Sequence, residues 1–134
     1  MSAGKAAYVD SSALIKLAIH EPESAALGRY LRGHPTRLSS ALARVEVARA
    51  VAHIDGNDAA KRARAVLARI ELIGVTTRVL EAAAGVAPQE LRTLDAIHLA
   101  TAILVMPDLG SFVTYDARLA TAAAARGFKV VQPG

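Results

Sequence analysis

The sequence predicts a single α/β domain in which a doubly wound parallel sheet of about five strands is covered by helices on both faces. Its 134 residues are the length of one ordinary domain. Alanine, the best helix former, supplies 30 of them, which favours a helix-rich fold. Short apolar runs alternate with segments of helical periodicity, a pattern typical of a sheet wound with helices. We therefore treat residues 1–134 as one domain.

Short apolar runs predict the strands. The first, Ala-Ala-Tyr-Val, ends at Asp10 and is apolar throughout, as expected for a strand buried on both faces. Gly110 and Gly127 mark breaks before the last two runs. The predicted strands are residues 6–9, 36–39, 72–75, 111–114 and 128–131.

Apolar residues at helical spacing predict the helices between the strands. We expect Ser11 or Ser12 to cap the first helix, and Pro22 suits the start of the second. Residues 55–57, Asp-Gly-Asn, are typical of a turn. The predicted helices are residues 13–19, 22–32, 41–54, 59–71, 77–85, 94–105 and 117–125.

The composition excludes several classes of protein. Because there is no cysteine, disulfide scaffolds, thiolate zinc sites and cysteine nucleophiles are excluded. The few aromatic residues, 4% of the chain, argue against domains that stack bases on several aromatic rings. Dinucleotide, P-loop and serine-hydrolase motifs are absent. The lack of cysteine and of a membrane-spanning apolar run predicts a cytoplasmic protein.

The charge balance leaves two interpretations open. The net charge is +4, and 12 of the 16 basic residues are arginine. Arginine forks match phosphate oxygens, which favours a nucleic-acid partner. A solvated surface in an arginine-rich composition explains the same numbers.

Two acids lie at the ends of predicted strands. Asp10 directly follows the first strand, and Asp116 follows the fourth strand after Tyr115, with Thr114 as the last residue of that strand. In an open α/β sheet, ligands bind at the carboxyl ends of the strands, so both acids are candidates for one crevice. Each is equally suited to cap the helix that follows it.

Two further acids lie in predicted helices. Asp95 begins the most apolar helix, where it serves either the helix dipole or a site that supplies a cation. Glu46 either forms an ion pair with Arg49 or joins the other acids. His98 lies three residues after Asp95 and is expected to support a ligand or to lie in the core rather than to bind a metal itself.

Taken together, the four acids fit one chemistry. Mg²⁺ takes carboxylate oxygens together with waters and substrate phosphate, and such a site hydrolyses phosphodiesters. Two other functions remain open for an acidic α/β domain: a receiver-like signalling module and a catalytically silent binding module. A receiver would need adjacent acids after the first strand, where this chain has Asp10-Ser11-Ser12.

Three segments resemble PIN-domain ribonucleases, most closely the VapC-type toxins of bacterial toxin–antitoxin pairs. They are Tyr-Val-Asp-Ser-Ser-Ala-Leu-Ile-Lys-Leu from Tyr8, Leu-Arg-Thr-Leu-Asp-Ala-Ile-His-Leu-Ala from Leu91, and Phe-Val-Thr-Tyr-Asp-Ala-Arg-Leu from Phe112. The resemblance extends over nearly the whole chain and includes the spacing of Glu46. Residues 55–90 contribute nothing to it.

The resemblance implies a PIN-like fold and an endoribonuclease that uses Mg²⁺ or Mn²⁺. It also implies a homodimer and a cognate antitoxin whose tail enters the active-site groove. It assigns the catalytic and metal-binding roles to Asp10, Glu46, Asp95 and Asp116. Thr114 would steady a ligand or a coordinated water. Arg92 and Arg118 flank two of the acids and are predicted to bind RNA at the rim.

Overall fold

The computed structural model describes residues 5–54 and 58–134, and these form a parallel sheet between two layers of helices. The strands are β1 Ala6–Val9, β2 Arg37–Ser40, β3 Glu71–Ile73, β4 Leu109–Val113 and β5 Val130–Val131. They pair in parallel in the order β3-β2-β1-β4-β5. The predicted fold class is therefore confirmed.

The helices cover both faces of the sheet. They are α1 Ser11–Ala18, α2 Ser24–Arg32, α3 Ala43–Val51, α4 Asp58–Ala68, α5 Thr77–Gly85, α6 Thr93–Leu104 and α7 Ala117–Ala125, with a 3-10 helix at Met106–Asp108. The expected cap of α1 at Ser11 or Ser12 is wrong, because the side chain of Asp10 accepts the N–H of Ala13 and is the cap. The predicted turn at 55–57 lies outside the described residues. Within those residues, no helix has the length and apolarity needed to cross a membrane.

The side chains of β1 alternate between two hydrophobic cores. Ala7 and Val9 pack against the layer built by α1 to α4, whereas Ala6 and Tyr8 pack against α5 to α7. All four side chains are buried, which is why this strand is an uninterrupted apolar run. A central strand held from both sides gives a rigid support to the residue that follows it.

The order of the strands creates a crevice beside β1. The chain proceeds outward from β1 through β2 to β3 and then crosses to β4 on the other side of β1. Val9 pairs with Val113, and the N–H of Asp10 donates to the carbonyl of Val113 at 3.1 Å, so both strands end at the same level. Ligand sites form where strand order reverses in this way. A receiver-like fold places the first strand beside the third, so this order argues against that alternative.

Candidate active site

A cleft of about 600 Å³ opens at the carboxyl ends of β1 and β4. Its lining includes all four acidic residues singled out from the sequence: Asp10, Glu46, Asp95 and Asp116. They come from the start of α1, from α3, from the first turn of α6 and from the start of α7. The fold therefore brings to one cleft carboxylates that are spread from residue 10 to residue 116.

Asp10 is a helix cap and a cleft residue at the same time. Its Oδ1 accepts the N–H of Ala13 at 3.0 Å and the hydroxyl of Ser12 at 2.7 Å. Its Oδ2 accepts the hydroxyl of Thr114 at 2.6 Å. Burial raises the pKa of Asp10, and the hydrogen bonds from Thr114 and Ser12 oppose that rise. The two roles that the sequence left open for this residue are thus compatible.

The hydroxyl of Thr114 links the acids at the two strand ends. It donates to Asp10 and accepts the backbone N–H of Asp116 at 3.1 Å. Asp116 in turn caps α7 with its side chain. Ser12 makes a parallel link, because its hydroxyl donates to Asp10 and accepts the N–H of Tyr115 at 2.9 Å. The sequence pattern predicts only a helix cap for Ser12; its position two residues after Asp10 is the signal for this link.

Glu46 is held by buried side chains of the core and not by Arg49. In the part of the chain that the structure describes, its side chain contacts His98, whose Nε2 lies 2.7 Å from Oε1, and the alternative ion pair with Arg49 does not form. The hydroxyl of Ser11 donates to the same oxygen. Burial opposes ionisation of Glu46, but the hydrogen bonds from His98 and Ser11 outweigh it and lower its pKa.

His98 supports the site from the core, as the sequence had suggested. Its side chain is buried, and its Nδ1 lies 2.8 Å from the hydroxyl of Tyr8 in β1. Tyr8 and Ser11 were missed as supporting residues. A phenol in an otherwise apolar strand just before Asp10 is a usable signal, because a buried tyrosine hydroxyl normally needs a partner.

Asp95 carries the uncompensated charge of the cleft. Burial raises its pKa, and the neighbouring carboxylates of Asp116 and Asp10 raise it further. Across residues 5–54 and 58–134, its side chain has neither an ion pair nor a hydrogen bond, unlike those of Asp10 and Glu46. A cation is the partner that would relieve this repulsion.

The four acids offer carboxylate oxygens, which are the ligands that hard cations prefer, but these oxygens do not converge on one position. In the described residues, no group of three or more Asp, Glu, His or Cys side chains is arranged to hold a metal ion directly. Asp10 uses both its oxygens and Glu46 uses one to accept hydrogen bonds from neighbouring protein groups. Mg²⁺ commonly takes one or two carboxylates and keeps several waters, so the residues fit a partly hydrated ion.

The basic residues near the cleft differ from those named from the sequence. Arg92 precedes α6 and is exposed, and Arg118 lines a separate depression beside Leu91; neither belongs to the lining of the cleft. The lining instead includes Arg49 of α3 and His53, which lies two residues after the end of that helix. Its remaining walls are mostly apolar, with Ile15, Leu42, Val45 and Leu94.

Residues 7–125 match the family model described as PIN domain. The chain belongs to the PIN domain family. The resemblance to VapC-type PIN-domain ribonucleases, predicted from the three sequence segments, is therefore confirmed. The segments that carry it supply three of the four carboxylates of the cleft, and α3 supplies the fourth.

Relatives of this PIN domain match along nearly their whole length. Ribonuclease VapC46 of Mycobacterium tuberculosis is 54% identical over 128 residues, which is 96% of this chain and 98% of the relative. Ribonuclease VapC47 of the same species is 39% identical over 131 residues, or 95% and 96% of the two chains.

Solved structures show the same fold. A toxin-antitoxin complex from Klebsiella pneumoniae contains a chain that is 25% identical, with a TM-score of 0.73 and coverage of 96% of this chain and 98% of that one. Mycobacterium tuberculosis VapC20, described as a Sarcin-Ricin loop cleaving toxin, is 19% identical with a TM-score of 0.74 and coverage of 95% and 99%. At that identity the second likeness concerns the fold alone.

Proposed function

We propose that this PIN domain is a divalent-metal-dependent endoribonuclease that hydrolyses RNA phosphodiester bonds in the acidic cleft. One observation carries the proposal: four carboxylates from distant segments line the same cleft at the reversal point of the sheet. Relatives named ribonuclease, at 54% and 39% identity over nearly the full chain, support RNA as the substrate.

Mg²⁺ or Mn²⁺ is the proposed cofactor, because the available ligands are carboxylate oxygens without any cysteine. Asp10, Asp95 and Asp116 would hold the ion directly or through water. Glu46 would be a further ligand or would position the attacking water. When bound, the ion neutralises the charge of the phosphodiester and activates water for attack.

The protein groups of the cleft keep the acids in place during this reaction. Thr114 and Ser12 fix the carboxylate of Asp10 on the rigid end of β1, so that its charge is available at a constant position. In the net reaction, a water oxygen joins the phosphorus, the bond from phosphorus to the leaving sugar oxygen breaks, and one water hydrogen ends on that oxygen.

Arg49 is the proposed first contact for the RNA backbone. It lines the cleft one helical turn after Glu46 and is exposed, so its guanidinium is available to a phosphate. Arg92 and Arg118 remain predicted RNA contacts further out, at positions that a longer RNA would cross. Basic groups at these places would offset the repulsion between the RNA and the acids.

We further propose that the protein is the toxin of a toxin–antitoxin pair, that it dimerises, and that a cognate antitoxin blocks the cleft. The similar chain in the Klebsiella pneumoniae toxin-antitoxin complex supports this assignment. So does the lining of the cleft, where Val45 and Leu94 are 57% and 46% exposed beside the acids. Such a surface suits a peptide with apolar side chains and a basic group.

The test is to incubate the purified protein with total bacterial RNA and Mg²⁺ or Mn²⁺ and to map new RNA ends by sequencing. We expect cleavage at a few defined sites, lost in EDTA and in Asp10→Asn. Asp58→Asn is the matched control, because Asp58 is an exposed acid at the start of α4 and does not line the cleft.

Two results would contradict the proposal. Cleavage that persists in EDTA would remove the metal from the mechanism. RNA that is bound but never cut, at any divalent ion concentration, would favour a catalytically silent binding module instead.

A further inference from the structure

We infer that Tyr8, His98 and Ser11 form a buried hydrogen-bond network that fixes one carboxylate oxygen of Glu46 and thereby leaves the other available in the cleft. The inference rests on the proposed function of that cleft. It makes these three side chains positioning residues, since they act through Glu46 and not on the RNA.

Both hydrogen-bond donors to Glu46 converge on a single atom. The hydroxyl of Ser11 and Nε2 of His98 both contact Oε1. In the part of the chain that the structure describes, no donor contacts Oε2. Because Glu46 lines the cleft and Oε1 is held from the protein side, Oε2 is the oxygen available to an ion or a water.

The imidazole of His98 is itself held in one orientation by a second contact. Its Nδ1 lies 2.8 Å from the hydroxyl of Tyr8, and the two rings meet edge to face with their centroids 5.9 Å apart. Tyr8 is stacked on Phe112 at 5.1 Å in the neighbouring strand. Since an ionised carboxylate can only accept, Nε2 carries the hydrogen that points at Glu46. The chain of contacts therefore runs from the centre of the sheet to the wall of the cleft.

A purely structural role explains the network less well. Tyr8, His98 and Ser11 are 0%, 1% and 6% exposed, so each needs a partner to be buried without a large penalty. Apolar side chains would fill the same space without needing partners. What the polar network adds is a fixed orientation of Glu46, and partners that orient ligands in this way commonly affect metal affinity ~10-fold or more.

The experiment measures Mn²⁺ binding by calorimetry and melting in EDTA for five variants of the whole protein, of which the fifth is Glu46→Gln. His98→Leu removes one of the two donors to Oε1 of Glu46, and His98→Gln retains an N–H donor at the end of the side chain. Tyr8→Phe removes only the hydroxyl that orients the imidazole. Ser111→Ala is the matched control, since the Ser111 hydroxyl is buried and has no hydrogen-bond partner among the described residues.

We expect His98→Leu to bind Mn²⁺ ~10-fold or more weakly than the wild type, with most of that loss recovered in His98→Gln. Tyr8→Phe should show a smaller loss, and Ser111→Ala should show none. On a fluorophore-quencher RNA oligonucleotide that the wild type cuts, kcat should fall while KM stays constant, because the network lies beneath Glu46 and away from the RNA.

Wild-type Mn²⁺ affinity in both His98→Leu and Tyr8→Phe would overturn the inference, even if both variants melted at lower temperatures. Equal loss in His98→Gln and His98→Leu would also overturn it. Glu46→Gln separates this failure from that of the proposed function. If Glu46→Gln abolishes Mn²⁺ binding and cleavage while the network variants retain both, the inference alone fails. If Glu46→Gln is also without effect, the proposed role of Glu46 fails with it.

Discussion

The two carboxylate oxygens of Asp10 accept hydrogen bonds from different parts of the site. Oδ1 closes the first turn of α1, while Oδ2 receives the hydroxyl of Thr114 next to Asp116. A substitution by alanine would therefore remove a helix cap along with a carboxylate, and a cap alone contributes ~1 kcal/mol. Asparagine keeps an oxygen for the cap, which is why Asp10→Asn is the informative change for the proposed chemistry.

Thr114 provides a test at the same scale. Thr114→Val keeps the shape of the side chain but removes the donor to Asp10 and the acceptor for the N–H of Asp116. We expect ~10-fold or greater loss of Mn²⁺ affinity and of cleavage rate, because both acids lose a fixed neighbour. Thr114→Ser keeps the hydroxyl and should retain most of both. Calorimetry and an RNA cleavage assay on the two variants measure this, and equal behaviour of valine and serine would argue against the role of the hydroxyl.

Arg49 gives a second residue-level prediction. We expect Arg49→Gln to weaken RNA binding in EDTA and to reduce the slope of log affinity against log salt by roughly 1, since one phosphate contact is lost. Arg44→Gln is the matched control on the same helix, because Arg44 is exposed and does not line the cleft. Filter binding of a labelled RNA across a salt series gives both numbers.

Arg92→Gln and Arg118→Gln belong in the same salt series. If they alone change the slope while Arg49→Gln does not, the RNA passes over the positions predicted from the sequence and not over the cleft wall of α3.

The elements of the chain end where backbone groups find other partners. The last strand was predicted over 128–131, but β5 is Val130–Val131. The N–H of Phe128 donates to the carbonyl of Ala123 and closes α7, so it is not available to the sheet. Gly127 makes this closure possible with a φ of +91°, a conformation that costs other residues energy.

Gly127→Ala tests this account of the helix end. The added Cβ meets no close atom, with Met106 at 3.7 Å, so any destabilisation comes from the backbone. We expect a loss of about 1 kcal/mol in the free energy of unfolding, measured by denaturant titration. Gly85→Ala is the matched control at the end of α5, where the Cβ enters open space. It should be neutral or slightly stabilising, and equal losses at the two glycines would contradict the explanation.

The bounds of helices and strands were predicted well where one hydrophobic pattern dominates the segment. They were predicted less well where backbone geometry determines where an element ends. Strand 6–9 and helices 77–85 and 117–125 have the predicted bounds. Gly110 predicts a break before a strand at 111, whereas β4 begins at Leu109 and accommodates Gly110 at a shift in its register with β1. Such a bulge depends on the partner strand, which a single sequence does not reveal.

In the candidate site, too, local patterns predicted some residues and long-range contacts determine others. Its acids follow strands or begin helices, so sequence position and family resemblance were enough to name them. Tyr8 and Ser11 were missed because their roles depend on contacts 90 and 35 residues away along the chain. The sequence offers Arg49 as a partner for Glu46, whereas in the structure Glu46 contacts His98. Long-range pairing of this kind is set by the fold and not by local pattern.

At the scale of the whole molecule, the two cores position the acids at the expense of mutual repulsion. The core against α1 to α4 fixes Glu46 through α3, and the core against α5 to α7 fixes Asp95 through α6. Both cores share the sheet that carries Asp10, so the acids do not separate without disturbing the packing. The metal-free protein therefore retains the repulsion that raises the pKa of Asp95, in addition to the effect of burial.

Asp95→Asn tests whether this repulsion is felt by the folded protein. A raised pKa means that protonation of Asp95 favours the folded state, and that this stabilisation is lost as the pH rises through the folded-state pKa. At pH 7 the ionised carboxylate is the unfavourable form, and asparagine is neutral at every pH. We expect the variant to melt in EDTA at or above the wild-type temperature while losing nuclease activity, as measured by calorimetric scans and RNA cleavage.

The metal and pH dependence of the same variant complete the test. Mg²⁺ should raise the melting temperature of the wild type, because it binds the folded state, and should raise that of Asp95→Asn much less. In EDTA, any advantage of the variant should shrink as the pH falls through the raised pKa of Asp95, since the wild type then becomes neutral there too. If Asp95 instead stabilised the first turn of α6 by its charge, the variant would melt at a lower temperature with or without metal. A clear loss of melting temperature in EDTA would thus assign Asp95 to the helix and remove it from the proposed metal site.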